Sequence, residues 1–161
     1  MPQILKDTQV VSDNWILLDE NDDSIPAGDI LLSYQQWQNF ADHLSDHSGR
    51  IGIWLEGHAE IEQIIEPLLN LPLIAINFPK FADGRGFSAA RLIKERYNYA
   101  GELRAIGGFI RDQLYLLNRC GFNAFQFSDE NELSDAAESL KDFSENYQVS
   151  VDQENPLFRR R

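Results

Sequence analysis

The stretch FADGRGFSAARLIKER, residues 81 to 96, gathers the side chains best suited to holding an anion. Gly84 and Gly86 can adopt backbone angles that other residues avoid, and they let a ligand come close to the main chain. Lys80 and Arg85 bring positive charge and Ser88 a hydroxyl. The helix expected to start at Ser88 would add unpaired N–H groups and the positive end of its dipole. Sulfate, phosphate or a related oxyanion would be held there by charge-assisted hydrogen bonds. A plain turn, with Asp83 or Ser88 capping the helix and Arg85 in solvent, accounts for the same residues. The next strand-end loop is similar: Gly107 and Gly108 open a segment with Arg111 and Asp112 in its first turn. If the two preceding strands are neighbours, Arg85 and Arg111 flank one pocket. The candidates for binding an anion are therefore Lys80, Gly84, Arg85, Gly86, Ser88 and Arg111. For catalysis on an anionic substrate they are Asp83, Arg85, Arg104 and Arg111. Glu102 and Arg104 alternate with Leu103 and Ala105, so both point to one face of a strand, where a structural ion pair competes with a functional reading.

Other chemistries find less support. The chain has neither GxxxxGK[ST] nor GxGxxG, so no nucleotide fingerprint is present. One cysteine, Cys120, excludes an internal disulfide or a cysteine-only metal site, and its place in a helix-ending NRCG suits a small buried hydrophobe. His43 and His47 lie four apart at the end of a polar helix and read as a solvated face rather than a metal pair. His58, after Gly57 at a strand end, is the histidine placed like a site residue. Tyr97, Tyr99, Phe122, Phe125 and Phe127 read as packing between helices and sheet. No cofactor is evident and no metal is expected.

The formal charge of −12 argues against non-specific nucleic-acid binding, which rests on Lys and Arg neutralising phosphates. Its distribution is uneven. Residues 80–119 hold eight basic and four acidic side chains, whereas the rest of the chain holds six basic and twenty-two acidic ones. Three of those six end the chain, in PLFRRR. No run of about eighteen apolar residues marks a membrane span, and the N-terminus lacks a signal-peptide pattern, so a soluble cytoplasmic protein is expected.

These residues need elements to position them. At 161 residues the chain suits one domain. Strand signals at 15–19, 29–33, 51–56, 73–78, 102–107 and 123–127 alternate with helical periods at about 34–44, 59–69, 88–97, 109–119 and 130–143. That alternation predicts a single α/β domain over 1–147 with a mostly parallel sheet, either open and three-layered or curved into a part-barrel. Residues 148–161 read as an extended tail that either contacts an acidic partner surface or folds back onto the protein's own acidic face. In such sheets ligands bind at the carboxyl ends of the strands, where the 81–96 loop falls.

Taken together, FPKF, DGRGFS, the Arg-Leu…Glu-Arg helix, GELRA, RDQL and RCGF, all within residues 78–127, closely resemble a bacterial family catalogued as domain of unknown function 934, and PLFRRR resembles its ending. Two positions depart from the family pattern: Gly108 and Asn123 each stand where an aspartate is usual. Members of that family are described as oxidoreductases of sulfite reduction, with genes beside a sulfite reductase gene. The resemblance implies an accessory protein of assimilatory sulfite reduction, with sulfite reductase as partner and a small anion as ligand. It leaves open a small sulfur-assimilation oxidoreductase using an external cofactor, or a non-catalytic assembly partner.

Overall fold

The computed structural model describes residues 2–79 and 84–142. One eight-stranded sheet forms the frame: β1 (Gln3–Lys6), β2 (Gln9–Ser12), β3 (Ile16–Leu17), β4 (Ile30–Ser33), β5 (Ile51–Glu56), β6 (Leu73–Phe78), β7 (Glu102–Gly107) and β8 (Ala124–Phe125). Its order is β2-β1-β8-β7-β6-β5-β4-β3. Strands β3 to β8 pair parallel with their sequence neighbours, as their alternation with helices predicts. The helices are α1 (Tyr34–Asn39), α2 (Ala41–Leu44), α3 (Ile61–Ile64), α4 (Arg85–Arg91), α5 (Leu114–Cys120) and α6 (Leu133–Asp142).

Crossovers between parallel neighbours are right-handed, so an order that never reverses puts every helix on one face. The packing agrees. Ile30, Leu32, Ile53, Leu55, Ile74, Ile76, Leu103 and Ala105 share one core with Ile61, Ile65, Ala90, Ile93 and Leu117 of the helical layer. The alternate strand residues point to the other face, where Leu31, Trp54, Leu73, Ala75 and Ile106 form a separate cluster with Trp15 against it.

That second face is the inside of a curl, and chain connectivity requires it. Strands β2 and β3 are the two edges of the sheet, yet only Asp13, Asn14 and Trp15 join them. Four residue steps span at most ~14 Å, whereas seven strand spacings of a flat sheet cover roughly 33 Å. The sheet therefore bends back toward itself as a half-barrel, and of the two α/β architectures expected, the curved one is formed.

Several boundaries differ from the periodic reading, each for a local reason. The β1–β2 hairpin is absent from it because its two-residue turn, Asp7-Thr8, lacks a glycine. Both residues nonetheless take positive φ, 49° and 70°, as a primed turn requires. Since left-handed backbone costs a β-branched residue about 1–2 kcal/mol, Thr8→Gly should raise unfolding stability by about 1 kcal/mol, read as a higher denaturation midpoint. A lower midpoint would sink this reading. Pro67 ends α3 early and leaves a 3₁₀ turn, Glu66–Leu68.

The helix expected to begin at Ser88 begins at Arg85, with Gly84 as its N-cap and no side-chain cap. Gly86 explains the earlier start. A Cβ there would lie 2.5 Å from the Phe78 ring, so the bare glycine lets the first turn lie against the end of β6. Ser88 is thus a residue within the helix, not its cap.

Candidate functional site

Strand register arranges the inner face in rows. The middle row reads Ser33, Trp54, Ala75, Arg104, Ala124, each paired with the next across the sheet. Small residues flank each large one, which makes room for an indole and a guanidinium inside the curl. Arg104 is only 1% exposed. Its Nη1 and Nη2 donate to the Asp13 carboxylate at 3.0 and 3.2 Å, and its Nε donates to Glu102 at 2.8 Å. Gln126 accepts a further bond, and Lys6 pairs with Glu102 from β1. Arg104 thus serves as the pin between β7 and the segment that joins the sheet's two edges.

The carboxyl-end row is Glu56, Asn77, Ile106. Asn77 Nδ2 donates to the Glu56 carboxylate at 3.1 Å. With Leu17, Leu18, Asp19, Glu20 and Trp54 these residues line an inner cleft of about 400 Å³. Sequence reasoning passed over Glu56 and Asn77. The available signal was a polar residue near the end of each of two otherwise apolar strands, IGIWLE and LIAINF.

An outer cleft of about 470 Å³ lies between the β5–α3 loop and α4, lined by Gly57, His58, Ala59, Ile61, Arg85, Ser88, Ala89 and Leu92. It brings Arg85 and Ser88 together and adds His58. Gly84 is exposed at the start of α4, and Gly86 is committed to packing on Phe78. Lys80 and Asp83 lie outside the described residues, as does the C-terminal PLFRRR.

The other predicted residues go elsewhere. Although β6 and β7 are neighbours, Arg111 lines a different cleft with Ile110, Asp112 and Glu132, and its guanidinium pairs with Asp135 of α6 at 3.2 Å. The 3₁₀ turn Arg111–Gln113 that precedes α5 carries it toward α6. Arg104 belongs to the inner face. Of the four catalytic candidates, the three that are described, Arg85, Arg104 and Arg111, lie in separate places.

Cys120 is buried, which pushes its thiol pKa up and away from thiolate chemistry. His47 Nε2 lies 2.7 Å from the Gly28 carbonyl. Asn123 accepts from the Leu103 N–H at the amino end of the sheet, opposite both carboxyl-end clefts. No cluster of three or more metal-ligating side chains occurs among the described residues, and none of their helices is long and apolar enough to cross a membrane.

The fold and its clefts define a singly wound α/β half-barrel with two differently charged recesses at the carboxyl ends of its strands. The chain belongs to the family described as bacterial protein of unknown function (DUF934), whose model matches residues 52–158. No curated protein matches it.

Proposed function

We propose that the protein is an accessory protein of assimilatory sulfite reduction that holds a sulfur oxyanion or a phosphorylated ligand beside the DGRGFS loop and acts with sulfite reductase. The observation that carries the anion half is the outer cleft. Among the described residues its side-chain polar groups are an imidazole, a guanidinium and a hydroxyl, with no carboxylate, in a chain of net charge −12. Arg85 and Ser88 lie one turn apart on α4, and His58 faces them from the loop after β5. The resemblance of residues 78–127 to proteins described with sulfite reduction supports the sulfur half.

The experiment is calorimetry with sulfite, sulfate and phosphate. Charge-assisted hydrogen bonds are worth about 1.5–3 kcal/mol each, so Arg85→Ala should weaken binding about ten-fold or more. Failure of the wild-type protein to bind any of the three in the millimolar range would remove the small-anion reading. Growth of a deletion strain tests the pathway: rescue by sulfide, with failure on both sulfate and sulfite, is the expected outcome.

A further inference from the structure

The outer cleft has a direction. Arg85, Ser88, Ala89 and Leu92 line one wall of it, three, four and seven positions along α4 and into the π-helical turn Leu92–Arg96 that continues it. That spacing makes a single stripe, polar where it begins and apolar where it ends. Two contacts align the opposite wall with it. A Cβ on Gly57 would lie 2.8 Å from the Gly86 nitrogen, so the β5–α3 loop touches the first turn of α4. Glu62 of α3 pairs with Arg96 at the end of the π-helical turn. His58 therefore lies toward the Arg85 end of the cleft and Ile61 toward the Leu92 end.

The cleft is also larger than a bare oxyanion needs. Its volume of about 470 Å³ falls within the roughly 300–1,000 Å³ of clefts that take whole organic ligands. Seven helical steps from Arg85 to Leu92 span roughly 10 Å. His58, Arg85 and Ser88 are exposed, whereas Ala59 and Leu92 are half-buried and Ile61 and Ala89 are buried. An inorganic ion on the polar end would leave that apolar lining to water.

We infer that the outer cleft takes an organic anion, a tetrahedral oxyanion group carried on an apolar body. The charged group sits between His58 and Arg85, and the body lies over Ala89 and Ile61 toward Leu92. This rests on the reading of the cleft as an anion site and names the class of ligand that fills it. Charge holds one end, and removal of apolar surface from water holds the other.

The test is calorimetry with two sulfonates of equal charge, methanesulfonate and 1-hexanesulfonate, and with uncharged 1-hexanol. Hexanesulfonate should bind one-to-one and about ten-fold or more tighter than methanesulfonate, since each buried methylene adds to the apolar area withdrawn from water. Leu92→Ser should erase most of that advantage and leave methanesulfonate binding as it was, whereas Arg85→Ala should weaken both. Hexanol should bind about ten-fold or more weakly than hexanesulfonate. Hexanesulfonate no tighter than methanesulfonate, while sulfite, sulfate or phosphate binds, overturns this inference alone; no binding by any of the five anions overturns the anion reading with it. Hexanol as tight as hexanesulfonate, or an unchanged advantage in folded Leu92→Ser, also overturns the inference. Should Leu92→Ser fail to fold, Ala59→Asp sets a carboxylate in the opposite wall, and undiminished hexanesulfonate binding there overturns it.

Discussion

Arg104→Ala is expected to destabilise the protein by about 3–5 kcal/mol, because removing one member of a buried ion pair leaves its partners charged and unpaired in a dry interior. Asp13 is 6% exposed and has the Arg104 guanidinium as its ion-pair partner, so its carboxylate bears most of that loss. For a chain of this size the change corresponds to a melting temperature lower by roughly 6–20 °C. Glu62→Ala, which breaks the exposed pair with Arg96, should cost less than about 1 kcal/mol. Replacing both buried partners together, Asp13→Leu with Arg104→Met, should recover much of the loss, since apolar groups of similar volume need no compensating charge. Thermal unfolding of the four proteins checks the set. An Arg104→Ala protein within about 1 kcal/mol of the wild type would show that the pin does not hold the sheet's edges together.

The second large effect is expected at Gly107, where β7 ends beside both Asn77 and Phe78. Its φ of +94° is a conformation that side-chain-bearing residues rarely adopt. A Cβ at this position would lie 2.4 Å from Asn77 Oδ1 and 2.5 Å from the Phe78 carbonyl oxygen. Gly107→Ala combines about 1–2 kcal/mol of backbone strain with about 1–3 kcal/mol of overpacking. Asn77 would be forced from its bond to Glu56, so the inner cleft should lose shape along with stability. Denaturant unfolding measures the loss, as a lower midpoint. An alanine protein as stable as the wild type would contradict the conformation described for this turn. The neighbouring Gly108 has φ outside the left-handed region, and a Cβ there would meet its nearest atom at 3.1 Å, so the same substitution one residue later should be milder.

The physical difference between these two glycines is invisible in the dipeptide itself, and it illustrates where local reading stops. Apolar runs such as LIAINF and IGIWLE determine that their strands are covered on both faces, because few other segments bury so continuously. Their alternation with helical periods determines a mostly parallel sheet, and the motifs of residues 78–127 determine the family. Those inferences succeed because periodicity and close spacing are properties of neighbouring residues.

Tertiary structure alone decided which residues meet. Arg85 and Arg111 look equivalent along the chain, each soon after a glycine-bearing loop, yet the 3₁₀ turn before α5 sends Arg111 to Asp135 while α4 keeps Arg85 beside His58. Asp13 and Arg104 are ninety-one positions apart, and no local period relates them; the curl of the sheet brings them to 3.0 Å. Glu56 and Asn77 likewise become a pair only because parallel register aligns the ends of β5 and β6. Sequence fixes which faces are apolar, since burial depends on each residue's own transfer free energy. Which charges become partners depends on the closure of the sheet, a constraint shared by the whole chain.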